Sequence, residues 1–387
     1  MVSQGKIDAP NALTDEHRLF RESVAEFCRR EVAPNLGRWR AEKWIDREVW
    51  LEAGRQDFLG LAMPAELGGS GLADFRFNQI LGEELAAASV AVNSSIMLGV
   101  DVVAPYLLEL TTEAQRERYV PDFCAGRLVT AIGMTEPQAG SDLAALQTRA
   151  VRDGDGWRLN GAKTFITNGA GAGLVVLAAR TGEGRKDVSI FLVEGDAEGL
   201  GRGGRLEKIG QHEADTAELF FEDVPLPAEA LLGQQDRGFA YMIERLPQER
   251  LSVAVCNVAN AASVLAETIE YVKERRAFGQ SIGSFQASRF TIAELDTELD
   301  VAQAFVDRCV EAHVRGELSA VDAAKAKWWT AEVQNRVIDA CLQLHGGYGY
   351  MEEYRVGRAW CDARVTKIYA GTNEIMKDLI GRSLGLG

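Results

Sequence analysis

The sequence is short of the residues that build covalently or metal-held scaffolds. Only four histidines and six cysteines occur in 387 residues. The cysteines, at 28, 124, 256, 309, 341 and 361, form no CxxC pair and have no histidine cluster beside them. A structural zinc site is therefore not supported, no metal is expected, and inert thiols in a reducing compartment, the cytoplasm, are the expectation. No uninterrupted apolar run approaches the ~20 residues that span a bilayer. Met1-Val2-Ser3-Gln4-Gly5-Lys6 lacks the charged-then-apolar layout of a signal peptide, so no membrane insertion is expected. Basic residues are outnumbered, 42 against 57 acidic ones, for a net charge of −15. Nucleic-acid binding starts from a basic surface, and a role of that kind is disfavoured. No GxGxxG falls between a strand and a helix, which argues against a Rossmann fold, and no internal repeat suggests a solenoid.

What remains is ordinary globular material, 47% hydrophobic and 26% charged, in a chain long enough for two or three domains. The first third has helical spacing. Thr14 is placed to start a helix, Leu19, Phe20, Val24, Phe27 and Cys28 recur at its period, and Pro34 is expected to stop it. Further helices are expected around residues 78–88 and 105–110. The middle is strand-like. Residues 157–169 read as two short strands around a turn, 174–179 and 188–193 are short apolar runs, and Thr216–Phe221 closes the set before Pro225 and Pro227. A compact antiparallel barrel or sandwich follows. Long amphipathic stretches then run over 241–276, 286–315 and 320–344, the pattern of a helix bundle.

Chemistry-bearing segments sit at the joints of this layout. Gly133-Met134-Thr135-Glu136-Pro137-Gln138-Ala139-Gly140-Ser141-Asp142 is a loop of small and hydroxyl residues that lets a flat cofactor or phosphates approach the backbone. Phe165-Ile166-Thr167 is a strand end with one aromatic. Gln343 through Tyr350 is a glycine cluster, and Tyr369-Ala370-Gly371-Thr372-Asn373-Glu374-Ile375 is a turn near the C-terminus. Taken singly, each has a bland reading as a polar loop, a core strand or a helix end.

Together they resemble the acyl-CoA dehydrogenase family, from about Thr14 to Leu384, and within it the long-chain and isovaleryl-CoA type. Gln343, Gly346, Gly347, Gly349, Tyr350, Glu353, Arg358 and Asp362 all fall at the family's spacing. The resemblance implies an α+β fold: an N-terminal α-helical domain (residues 1–128), a central β-barrel (129–236) and a C-terminal four-helix bundle (237–387). It implies non-covalent FAD held by Met134, Thr135, Gly140, Ser141, Phe165, Thr167, Thr372 and Glu374. Across a subunit boundary, Arg275, Phe278, Gln286, Gln343, Gly346 and Gly347 would take the AMP half, in a homotetramer. Many members carry the catalytic base where this chain has Ala370. In the long-chain type the base lies on the first long C-terminal helix, and Arg245-Leu246-Pro247-Gln248-Glu249-Arg250-Leu251 matches that run. Glu249 is then the base, with the Ala370 N–H as a donor to the thioester oxygen. Ser141, Arg250, Tyr369 and Gly371 would contact an acyl-CoA substrate, with Met97, Leu98 and Val100 near its tail. The implied reaction is α,β-desaturation to a trans-2-enoyl thioester, with electrons leaving to an electron-transferring flavoprotein. An acyl-CoA oxidase, a related enzyme acting on a carrier-protein thioester and a non-catalytic flavin-binding protein are the alternatives.

Overall fold

The computed structural model describes residues 13–386; Met1–Lys6 lie outside the described residues. The N-terminal third is α1 (Asp15–Phe27), α2 (Leu36–Glu42), α3 (Arg47–Arg55), α4 (Phe75–Ala88), α5 (Val90–Met97), α6 (Ala104–Leu110) and α7 (Glu113–Cys124). Thr14 caps α1 through a reciprocal pair with His17, satisfying two of the orphan donors at a helix start. Pro34 does not end the helical run as the pattern suggested. A π-helical turn at Cys28–Val32 and a 3-10 turn at Ala33–Asn35 carry the chain past it into α2, because a proline near a helix start forfeits no bond. Phe27, Trp39, Phe58 and Leu81 lock these helices together, each such burial contributing about 1.5–3 kcal/mol.

The sheet strands are β1 (Thr130–Gly133), β2 (Arg149–Asp153), β3 (Gly156–Thr167), β4 (Leu174–Arg180), β5 (Val188–Glu194), β6 (Leu200–Arg202), β7 (Thr216–Leu226) and β8 (Leu231–Leu232). They run in the order β6-β7-β3-β2-β4-β5-β8, with β1 also on β4. Pairing is antiparallel except for β1 and β2, which lie parallel to β4. β4 shows why its sequence does not alternate. Val175, Leu177 and Ala179 enter one core, while Leu174, Val176 and Ala178 enter a second core against α6 and α7. A strand covered on both faces reads as a continuous apolar run.

Two expectations fail here. Residues 156–167 form one long strand, its register shifted between Leu159 and Gly161 and again between Lys163 and Ile166. Gly161 makes the first shift possible, since a Cβ there would lie 2.5 Å from the Thr148 hydroxyl. Such bulges imitate a turn in the pattern. β7 also continues through Pro225, which is paired opposite Arg158 with its side chain exposed.

The C-terminal part comprises α8 (Gly238–Glu274), a small hairpin of β9 (Arg276–Ala277) and β10 (Gln280–Ser281), then α9 (Gln286–Val314), α10 (Ala320–His345), α11 (Arg355–Ala363) and α12 (Asn373–Ser383). Leu251, Val255, Val258, Leu299, Val306, Val333 and Val337 join α8, α9 and α10 in one apolar core. Two helical stretches among the described residues, Val90–Leu110 and Gly238–Glu274, have the length and hydropathy of a membrane span, and the most apolar part of each is more than half buried in the fold. Core packing accounts for that apolarity.

Candidate active site

A cavity of about 510 Å³ opens where the sheet meets the C-terminal helices. The β1–β2 loop supplies Met134, Thr135, Gly140 and Ser141; the end of β3 supplies Phe165 and Thr167; α8 supplies Glu249 and Arg250; and the turn before α12 supplies Tyr369, Ala370 and Gly371. Residues up to 286 positions apart, Asn93 and Leu379, thus meet in one space, drawn from both sides of the joint. Met97 and Leu98 also line it, whereas Val100 packs into the core of the first helices, which corrects its expected place at the cavity.

Glu249 is the unusual group. It is 8% exposed, and its Oε1 has no hydrogen-bond partner. Burial pushes its carboxyl up to about 7, against the pull of Arg250 and Arg245. Arg250 is buried beside it with an unpartnered Nε, and burial lowers its guanidinium. Buried polar atoms left without partners are uncommon, and a facing pair in a cavity marks a place built for something else. Pro247, inside α8, takes away one helical N–H just before this pair. Opposite it the chain makes a π-helical turn at Leu98–Val103, and Gln248 Nε2 donates to the Asp101 carbonyl at 2.8 Å. Single π turns of this kind recur at functional sites.

The C-terminal corner faces the same space. Ala370 has φ 51° and Gly371 φ 89°, both left-handed. A Cβ on Gly371 would meet the Met376 methyl at 2.7 Å, so glycine is required there for space as well as for backbone angle. Among the described residues the Ala370 N–H has no acceptor. Burial raises the Tyr369 hydroxyl far above its usual value, with Ser94 and Gln211 beside it. Phe165 also has left-handed φ, 57°, and is 69% exposed. A large ring held open at the edge of an apolar-lined cavity, with hydroxyls at Thr135, Ser141 and Thr167 beside it, fits a flat aromatic cofactor.

Arg275, Gln343, Gly346 and Gly347 do not reach this cavity. They line a separate open hollow with Tyr348, over whose ring Arg275 sits at 5.3 Å. Phe278, at 96% exposure, and Gln286 lie on the surface nearby. Thr372 caps α12 by accepting from the Ile375 N–H, and Glu374 is exposed in that helix's first turn. His345 stays structural: its ring stacks on Tyr271 at 4.1 Å and bonds the Cys341 carbonyl.

Sequence reasoning missed several supporting groups. Lys163 and Glu136 form an ion pair of 2.8 Å at 0% and 1% exposure. Glu136 also accepts the Gln147 and Thr148 N–H groups, and Lys163 donates to the Met134 carbonyl, so the pair fixes the β1–β2 loop. Burial brings Lys163 down to about 8, and Lys163 holds Glu136 low against its own burial. Arg245 is buried against the Tyr106 and Tyr241 rings at 4.8 and 5.8 Å and bonds Glu109 at 2.5 Å. Its i−4 spacing from Glu249, which puts both on one helix face, was the available signal.

Three family models match the chain in succession: the acyl-CoA dehydrogenase N-terminal domain over residues 14–127, the middle domain over 131–224 and the C-terminal domain over 236–385. The chain is 42% identical to the mitochondrial long-chain specific acyl-CoA dehydrogenase of Mus musculus, covering 99% of this chain and 92% of that protein. It is similar to a solved acyl-CoA dehydrogenase from Geobacillus kaustophilus, with TM-score 0.95, 42% identity and coverage of 97% and 100%. A glutaryl-CoA dehydrogenase from Mycobacterium smegmatis, solved in complex with FADH2, matches with TM-score 0.90, 25% identity and coverage of 96% and 95%.

Proposed function

The chain belongs to the acyl-CoA dehydrogenase family, and from that premise we propose that it is an FAD-dependent enzyme converting an acyl-CoA thioester to the trans-2-enoyl-CoA, with Glu249 as base. The observation that carries this reading is the buried Glu249 carboxyl, unpartnered at Oε1 and facing the cavity that the Ala370 corner also faces. Glu249 accepts the α-proton on a carboxylate oxygen. The Ala370 N–H donates to the thioester oxygen, where negative charge grows as that proton leaves. One such donor in a dry site is worth about 3–4 kcal/mol, and without it the α-proton is far too weakly acidic for a carboxylate. Arg250 faces the growing charge, while Tyr369, Gly371 and Ser141 frame the thioester. FAD, when bound, supplies an acceptor for the hydride that leaves the β-carbon. Phe165, Thr167, Met134, Thr135 and Gly140 would hold its ring, with Thr372 and Glu374 at the start of α12.

The AMP half is assigned to the hollow at Arg275, Gln343, Gly346 and Gly347, together with Phe278 and Gln286 from the surface. Arginine suits a pyrophosphate because its planar fork engages phosphate oxygens in pairs. The hollow is separate from the cavity, and Phe278 and Tyr350 stand exposed at 96% and 84%. This supports completion of each cofactor site by a neighbouring copy, in a homotetramer. An electron-transferring flavoprotein is the proposed acceptor. The test is turnover of a short-to-long, straight and branched acyl-CoA panel, with an artificial acceptor compared against O2. Enoyl-CoA formation with the acceptor supports the reading. Efficient turnover with O2 alone makes the chain an oxidase, and FAD-loaded protein inert across the panel counts against desaturation.

A further inference from the structure

Lys327 lies on α10 at 0% exposure, a depth lysine almost never reaches without a charged partner. Its Nζ donates to the Gly371 carbonyl at 2.6 Å and to Asn373 Oδ1 at 3.3 Å, and it forms no ion pair among the described residues. Asn373 is held in turn by Glu332 at 2.9 Å. A lone buried ammonium is a poor contributor to stability, since a well-packed apolar residue of the same volume does as well or better. Burial brings the ammonium down to about 7, with Arg250 pushing the same way. These are the marks of a group kept for position.

The geometry indicates which position. Ala370 has left-handed backbone geometry without being glycine, and such a residue persists only where its surroundings over-determine it. The corner has a side-chain anchor on its flank, Lys327 on the Gly371 carbonyl. One turn along α10 from Lys327, Thr330 accepts from Asn257 Nδ2 at 3.1 Å. Asn257 stands two turns beyond Glu249 and Arg250 on α8. The Lys327 anchor therefore ties the corner to the same helix pair that carries the base.

We propose that Lys327 is a positioning residue: by holding the Gly371 carbonyl it sets the Ala370 N–H at the thioester oxygen, in register with Glu249. This rests on the reading of Ala370 given above. Lysine and methionine have similar length, so Lys327→Met removes the donor and leaves the packing. The experiment uses FAD-loaded wild type and K327M with bound 2-enoyl-CoA isotope-labelled at the thioester carbonyl. Difference infrared spectroscopy reads the polarisation of that carbonyl, and kcat and substrate affinity are measured alongside. Wild type is expected to show a marked red-shift, and K327M to lose most of it. kcat should fall ~10²-fold, the scale of an ångström-sized misplacement, with flavin content and substrate affinity retained. Lys327→Gln keeps a shorter polar head and should give an intermediate shift, which preserves the test if K327M does not fold. A full red-shift and unchanged kcat in either folded variant overturn the proposal while the reading of Ala370 stands. No red-shift in wild type removes that reading, and the proposal with it.

Discussion

Glu249→Gln keeps the shape of the side chain and removes its capacity to take a proton as a carboxylate. If Glu249 is the base, flavin reduction by acyl-CoA should slow by ~10²–10⁴, equivalent to about 3–5 kcal/mol of barrier. The structure adds a second, opposite effect. Burial moves the carboxyl from 4.5 to about 7, a differential interaction of about 3 kcal/mol between its two protonation states. The shift is upward, so the folded protein favours the neutral acid. Below pH 4.5 both states are protonated and nothing is lost. As pH rises from 4.5 to 7 the wild type gives up as much as ~3 kcal/mol, because the unfolded carboxyl ionises more readily. Glutamine does not titrate, and E249Q should match wild type near pH 4.5 and exceed it at pH 8. A variant both more stable and inactive is the signature of a group retained for chemistry. Anaerobic stopped-flow of the visible flavin band gives the rate, and urea midpoints at the two pH values give the stability. Near-normal flavin reduction in E249Q would refute the assignment of the base, and an unchanged stability difference between the two pH values would refute the electrostatic account.

Three further outcomes are expected. Arg275→Ala should weaken FAD retention on dilution, read as flavin-to-protein ratio after gel filtration; a full complement of flavin would remove Arg275 from the cofactor site. Lys163→Met strands the Glu136 carboxylate at 1% exposure and should cost about 3–5 kcal/mol in denaturant stability, with part of it recovered when Glu136→Gln is added, because the neutral amide oxygen still accepts the Gln147 and Thr148 N–H groups; a loss under 1 kcal/mol, on the scale of an exposed pair, would show that the pair is not closed off from water. Moving the carboxylate, by Ala370→Glu with Glu249→Gly, should restore part of the activity that Glu249→Gly alone removes, since both positions face one cavity; no recovery in a folded, FAD-loaded double variant would show that position 370 cannot present a base to the α-carbon.

Local periodicity made the long helices legible: the stretches 241–276, 286–315 and 320–344 correspond closely to α8, α9 and α10, since an amphipathic stripe of seven or more turns has one interpretation. β4 and β5 were equally plain. β3 was misread because a bulge at Gly161 and a turn use the same residues. The interrupted helices were misread because Pro34 and the π turns break the period without breaking the path. The corner at 369–371 was visible through its glycine and its fixed neighbours. The supports were not. Lys327 bonds a residue 44 positions away, and Lys163 pairs with one 27 positions away. A charged residue inside an amphipathic segment reads as a solvated face until its partner is brought to it by the fold.

The central claim is that this cavity removes a proton and a hydride from adjacent carbons of an acyl thioester. Its most direct test is a single anaerobic turnover of the FAD-loaded wild type with excess acyl-CoA, the flavin band followed optically and the thioester identified by mass spectrometry after quenching. The account predicts bleaching of the bound flavin and one trans-2-enoyl-CoA per flavin, with slower bleaching when the α-hydrogens are deuterium. Flavin that stays oxidised with every chain length, or bleaches without an enoyl product, would contradict it.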